Sequence, residues 1–249
     1  MAEKRESREE SGLSLLATPI GNLEDMTFRA VRMLKEADLI AAEDTRQAKK
    51  LLSHFDIVKP ITSYHMHNER SKTDYLLDKV DAGEKVVVLS DAGTPAIADP
   101  GFYIVRAAVE RGIEPVIIPG VSALTFAAVA AAFPVDKFVF AGFLPPKRGK
   151  RHAVLERLKE TDMTAFIFES PYKIQKLLGD VAEVFGDETP VAVVREATKF
   201  FEEVLRYPVK DLIERYKEKK WKGEIVLAID VRNASKQDET IELKKGKKY

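Results

Sequence analysis

Leu89-Ser90-Asp91-Ala92-Gly93-Thr94-Pro95-Ala96-Ile97-Ala98-Asp99-Pro100-Gly101 decides how the first half of this 249-residue chain reads. It follows Val86-Val87-Val88-Leu89, a short β-branched run that suits a buried parallel strand. It precedes Phe102-Tyr103-Ile104-Val105-Arg106-Ala107-Ala108-Val109, which reads as a helix. Its prolines fix φ, and its glycines permit positive φ and close backbone approach. Connections between a strand and a helix usually take about 2–6 residues, so this one is long as well as stiff. Open α/β sheets bind ligands at the carboxyl ends of their strands, so the stretch is a candidate ligand loop.

The flanking sequence repeats the strand–loop–helix unit. Leu13 to Ala17 reads as a first strand, followed by the turn Thr18-Pro19-Ile20-Gly21-Asn22 and a helix over 27–37. Leu39 to Ala42 is a second strand ending in Glu43-Asp44-Thr45-Arg46. Pro60 to Tyr64 is a third, followed by His65-Met66-His67-Asn68-Glu69 and a helix that Asn68 or Ser71 could cap. Pro115 to Ile118 is a strand ending in Pro119-Gly120-Val121-Ser122-Ala123, which leads into an Ala-rich helix. Such repetition predicts a parallel sheet with right-handed crossovers.

Phe133-Pro134-Val135-Asp136 marks a change of rhythm. The second half reads as a smaller mixed α/β domain, with strands near 137–141, 165–169, 191–196 and 224–229 and a hairpin partner at 200–206. The expected organisation is a tail at 1–11, an α/β domain at 12–133, a second α/β domain at 134–231 and a flexible basic tail at 232–249.

Composition narrows the classes. No run of 18 apolar residues is present, which argues against a membrane-spanning helix. The chain has no cysteine, which removes disulfides and thiolate metal sites and fits a cytoplasmic setting. Forty basic and forty acidic residues cancel, so a nucleic-acid surface would have to be a local patch.

If the first strands are parallel, the loops 18–22, 43–46, 90–101 and 119–123 share one edge. None carries a G-x-G-x-x-G fingerprint or a P-loop Lys-Ser/Thr, so dinucleotide and P-loop sites are disfavoured. Asp91 can accept from a hydroxyl or ammonium group of a ligand, or close an Asx-turn on its own backbone. Ser122 can cap the following helix or face ligand. Glu43-Asp44-Thr45-Arg46 is either a helix cap with a surface ion pair or part of a site. His65-x-His67 with Glu69 lacks a further ligand set, which favours charge or hydrogen-bond roles over a metal. No metal is expected. Lys147, Arg148, Lys150 and Arg151 read as a phosphate-contact loop or as solvated surface.

Taken together, these motifs resemble the family of ribosomal RNA small subunit methyltransferase I. The resemblance rests on Leu16 to Leu23, Ala42 to Arg46, Tyr64 to Glu69, Ser90 to Gly101 and Pro119 to Leu124. Gly142 to Pro145, Glu169-Ser170-Pro171, Arg195 to Phe200 and Gly223 to Val226 extend it, so it runs from about residue 13 to 230. It implies a tetrapyrrole-methylase (class III) fold of two α/β domains, with S-adenosylmethionine in the cleft between them, and a homodimer. The reaction it implies is 2′-O-methylation of a cytidine ribose in 16S rRNA. It also implies cofactor contacts from Pro19, from Asp91, Ala92, Gly93, Thr94, Pro95, Ala96 and Ile97, and from Ser122 and Ala123, with Phe168 and Arg195 closing over them. Candidates for the proton acceptor are Asp44, His65, His67 and Glu196, with Arg46 orienting a phosphate. Longer family members carry a helical extension after the last strand, whereas here a lysine-rich tail follows, which bears on RNA docking. Two other readings stay open: a methylase of a tetrapyrrole or other small acceptor, and a nonenzymatic RNA-binding assembly factor.

Overall fold

Short, almost wholly apolar strands build the first sheet. Strands β1 (Leu13–Leu16), β2 (Leu39–Ala42), β3 (Ile61–Ser63), β4 (Val86–Leu89) and β5 (Val116–Ile118) lie in the order β3-β2-β4-β1-β5. Every neighbouring pair is parallel. All residues of β1, β2 and β4 are buried, because helices cover both faces. Successive side chains point to opposite faces. Leu16, Ile40, Ala42, Val87 and Leu89 meet α1 (Phe28–Glu36) and α2 (Thr45–His54) through Met33, Leu34 and Leu52. Leu13, Leu15, Leu39, Ala41, Val86 and Val88 meet α3 (Glu69–Asp81) and α4 (Phe102–Glu110) through Leu76, Leu77, Val80 and Ile104.

The computed structural model describes residues 12–233, so the expected tail at 1–11 and the tail beyond 233 lie outside the described residues. The chain divides into two units between Ser122 and Ala123. The sequence reading put that boundary after residue 133 and gave the Ala-rich helix to the first domain. In the structure α5 (Ala123–Ala130) packs on the second sheet, with Ala127, Ala128 and Ala131 against Phe166, Ala192, Val194, Val226 and Ala228. The helix presents small alanine side chains to that sheet, where Ala192 and Ala228 lie among larger residues.

The second unit holds β6 (Phe138–Phe143), β7 (Thr164–Glu169), β8 (Pro190–Arg195), β9 (Glu203–Pro208) and β10 (Ile225–Asp230) in the order β6-β7-β10-β8-β9. β6 and β7 are parallel, and β10 runs antiparallel to both β7 and β8. The β8–β9 hairpin begins its second strand three residues later than expected. Helices α6 (Arg148–Lys159), α7 (Ile174–Phe185) and α8 (Val209–Arg215) cover the face opposite α5, with Leu155, Leu178, Val181 and Leu212 buried in that core. The fold is thus α/β throughout, a parallel sheet followed by a mixed one.

Candidate active site

Parallel register brings five loops to one edge. Leu16 pairs with Leu89 and Ile118, and Ala42 pairs with Leu89 and Ser63. The segments after these residues therefore emerge side by side, and the fifth, Tyr64 to Asn68, joins the four foreseen from sequence.

Hydrogen bonds tie the loops to one another. Thr18 and Gly93 form an antiparallel bridge, with N–H···O distances of 2.9 and 3.0 Å. Ser90 Oγ donates to the Gly93 carbonyl at 3.2 Å, and Thr18 Oγ1 donates to the Ser90 carbonyl at 3.3 Å. Gly93 has φ +80°, where a side chain would be strained. A Cβ on Gly120 would lie 3.0 Å from the Ala17 Cβ, so the loops after β1 and β5 nearly touch. Asp91 Oδ1 accepts from the Asp44 N–H at 3.0 Å, a crosslink between two loops rather than an Asx-turn.

The segment from Thr94 to Gly101 folds back on itself. Ala96 N–H donates to the Pro100 carbonyl at 3.1 Å, and Ala96 and Ala98 hold φ of 72° and 64°. Non-glycine residues held there carry strain of about 1–3 kcal/mol each, which concentrates at functional sites. Buried Glu69 accepts from the Gly101 N–H at 3.3 Å and anchors the loop from α3. Glu69 therefore faces this loop rather than forming a set with the two histidines. Sequence spacing could not show that, because the partners are 32 residues apart.

The titratable groups differ sharply. Asp44 caps α2 by accepting from the Arg46 N–H at 2.8 Å, and it holds the Arg46 guanidinium at 3.0 and 2.6 Å. Those bonds lower the Asp44 carboxyl to about 2. Glu43, half-buried beside it, moves the other way: burial first, then the charge of Asp91, raises it, and His65 only partly offsets this. His65 Nδ1 is buried with no hydrogen-bond partner among the described residues, and its ring lies 5.9 Å from that of exposed His67. Asn68 does not cap α3 with its side chain. It accepts from the His65 N–H at 2.8 Å and donates to Ser63, which fixes the histidine loop.

Other expected site residues lie in the second unit. Ala123 opens α5, directly after Ser122. Phe168 on β7 sits between the rings of Phe140 and Phe143, at 4.7 and 5.7 Å. Arg195 ends β8 and donates to Glu203 at 3.1 Å, to the Lys222 carbonyl at 3.2 Å and to the Phe201 carbonyl at 3.0 Å. Burial pushes the Glu196 carboxyl up, but the Glu224 N–H and Lys199 outweigh it and hold it below the usual range.

The basic stretch is not the free loop that the sequence suggested. Arg148, Lys150 and Arg151 lie in the first turns of α6. Arg151 is 5% exposed and donates to Asp180 at 2.5 Å and to the Pro146 carbonyl at 3.0 Å. Arg148 pairs with Glu183. Three cations at a helix N-terminus oppose its dipole, and these acids offset them. His152, Asp180 and Glu183 place metal-type donor atoms within 4.8 Å of one another, but Asp180 already serves Arg151 and His152. Only Lys147 and Lys150 of the stretch remain available to phosphates. Replacing both with Ser is expected to flatten the log–log salt dependence of RNA binding by at most about 1.4, against about 3 for four contacts.

A parallel sheet with five linked loops at its carboxyl edge, followed by a mixed sheet, defines a class. The family model of tetrapyrrole (corrin/porphyrin) methylases matches residues 12–213. A solved cobalt precorrin-4 methyltransferase, a cobalamin biosynthetic enzyme, shares the fold with a TM-score of 0.65 and 19% identity, over 89% of this chain and 95% of that one. The ribosomal RNA small subunit methyltransferase I of Halalkalibacterium halodurans is 44% identical over 226 residues, 90% of this chain and 78% of that protein. The protein of the same name from Thermotoga maritima is 43% identical over 218 residues, 87% of this chain and 97% of its own. The chain belongs to the tetrapyrrole methylases and, among them, to the ribosomal RNA small subunit methyltransferase I family.

Proposed function

We propose that this chain methylates the 2′-hydroxyl of a cytidine ribose in 16S rRNA of the small subunit, in the cytoplasm, with S-adenosylmethionine as donor. The observation that carries the reading is the linked loop edge of the first sheet. Its segments 17–22, 90–101 and 119–122 contain no lysine or arginine and contribute Asp91, with Glu43 beside it. A polyphosphate would be repelled there, whereas a small molecule with sulfonium and ammonium charges is attracted. The Gly93 and Gly120 backbones, close to Ile20 and Ala17, suit a ligand held by main-chain contacts. Pro19, Asp91 to Ile97 and Ser122 are the residues that would hold it. When bound, the cofactor supplies an electrophilic methyl group.

The protein's task is then to align the ribose oxygen and take its proton. Asp44 is a poor base because Arg46 stabilises its charge, and Glu196 is held down by Lys199 and the Glu224 N–H. Glu43 is the better acceptor because its environment raises its basicity. With the cofactor bound, Glu43 would accept the hydroxyl proton while the sulfur–methyl bond broke and left a neutral thioether. His65 lies close enough to Glu43 to influence its charge. The exposed Arg46 guanidinium contacts a neighbouring phosphate.

Asp91→Ala removes a charge-assisted bond as well as a ligand group. Bonds to charged groups contribute about 1.5–3 kcal/mol, so S-adenosylmethionine affinity should fall about 10- to 150-fold by calorimetry. Unchanged affinity would remove Asp91 from the site. The reading as a whole is tested by offering labelled S-adenosylmethionine with assembled small subunits, free 16S rRNA or a tetrapyrrole precursor, and mapping the label. Label on a cytidine ribose is expected. Label on the tetrapyrrole alone would replace the reading, and none on any acceptor would favour a nonenzymatic assembly factor. The reading includes a homodimer, for which light scattering should give twice the chain mass.

A further inference from the structure

The mixed sheet carries its own crowded edge. β7 and β8 end there, and β10 begins there, because Ile225 pairs with both Glu169 and Arg195. Four aromatic rings stand out from this edge and its connections. Phe200 is 96% exposed, Tyr172 94%, Phe201 66%, and Phe143 at the end of β6 is also exposed. Water-exposed rings in such number are costly unless something covers them.

Phe200 and Phe201 are held out rather than left loose. Glu196 and Thr198 carry φ of 52° and 66°, strained positions for non-glycine residues. Lys199 Nζ bridges Glu196 at 3.0 Å and Glu224 at 2.9 Å, and the Thr198 N–H donates to Glu202 at 2.7 Å. A side chain on Gly223 would collide with the Glu196 carboxyl group. One guanidinium, that of Arg195, binds the carbonyls of both Phe201 and Lys222. It thereby sets the aromatic loop beside the basic segment 217–222. In that segment Lys219 is held over the Trp221 and Tyr216 rings and paired with Glu203, whereas Lys217, Lys220 and Lys222 are exposed.

We propose that this edge is a stacking platform for single-stranded RNA, with unpaired bases on Phe200, Phe201 and Tyr172 and phosphates on Lys217, Lys220 and Lys222. Exposed rings with a lysine segment beside them match a strand that presents both base faces and phosphates. The proposal rests on the rRNA-methylation reading and adds where the substrate strand lies.

The test uses the full chain and a fluorescein-labelled single-stranded RNA 12-mer, followed by anisotropy across a salt series. The pair Phe200→Ala with Phe201→Ala should weaken binding by about 5- to 150-fold per lost stack. Its salt slope should match the parent's, because stacking releases no counterions. Phe200→Tyr with Phe201→Tyr should restore affinity. Lys220→Ser with Lys222→Ser should flatten the slope by about 1.4. S-adenosylmethionine affinity should hold in all three. Parent-like RNA affinity in the Ala pair would overturn the proposal. So would a dimer that dissociates in the Ala pair while RNA binding is unchanged, which would assign the rings to a second copy. A parent that ignores the 12-mer but still methylates small subunits overturns the platform and leaves the enzymatic reading intact. A parent that methylates only a tetrapyrrole overturns both.

Discussion

Glu43→Gln should lower kcat for methyl transfer by about 10²- to 10⁴-fold, the range that a positioned general base contributes. S-adenosylmethionine affinity should change far less, since the amide keeps the shape and one acceptor. The pH profile gives the sharper signature. The base must be ionised, and burial together with Asp91 raises Glu43 above the ordinary glutamate value. Activity of the parent should therefore rise with pH through that elevated value, and the Gln variant should lose this limb. Stability should move in the opposite direction. A carboxyl whose folded value is raised stabilises the fold below its unfolded value, and that stability is lost as pH rises through the folded value. At neutral pH the Glu43 charge is thus a cost, and the Gln variant should melt slightly higher. A variant with parent-like kcat, or one that keeps the acid limb, would move the base to His65 or elsewhere.

Arg151→Ala should destabilise the second unit by about 3 kcal/mol, near the low end for breaking a buried ion pair. The variant leaves the Asp180 carboxylate, buried on α7, with only His152 at 2.8 Å and Arg148 at 3.6 Å. It also empties the space of a long side chain and strips the Pro145 and Pro146 carbonyls of a donor. For a chain of this size each kcal/mol shifts Tm by about 2–4 °C, so a fall of about 6–12 °C is expected by calorimetry. Arg151→Met combined with Asp180→Asn should recover much of it, because no uncompensated charge then stays buried. Burial pushes Asp180 up, yet Arg151 and His152 outweigh it and hold it below 3.8. Its stabilisation is therefore present above that value and lost as pH falls through the depressed one. The parent should lose stability on acidification more steeply than the Ala variant. A Tm unchanged from the parent would mean that the pair contributes nothing net.

Short continuous apolar runs made the first sheet legible almost strand for strand, since β1, β2 and β4 are buried on both faces and carry no competing signal. Proline and glycine marked the loop after β4, whose backbone takes positive φ at Gly93 and Gly101, whereas the same conformation at Ala96 and Ala98 left no trace in the sequence. Strand order left no local trace. That β4 lies between β1 and β2 follows from packing across the sheet. The apolar helix α5 looked the same from every side in sequence, so nothing in it told which sheet it would cover. Long-range polar pairs were the larger loss. Asp44 meets Asp91 across 47 positions, and Arg151 meets Asp180 across 29. Counting cations in a row therefore overstated the basic loop. Glu43 was in view within Glu43-Asp44-Thr45-Arg46, but only the fold shows that Arg46 engages Asp44 and leaves Glu43 beside Asp91.

The measurement that bears most directly on the loop edge as the cofactor site is hydrogen–deuterium exchange with and without saturating S-adenosylmethionine. Peptides covering 17–22, 43–46, 90–101 and 119–122 should gain protection together, because they follow neighbouring strands at one sheet edge and would share one ligand. Protection confined to other segments, or none at saturation, would contradict the assignment of the site.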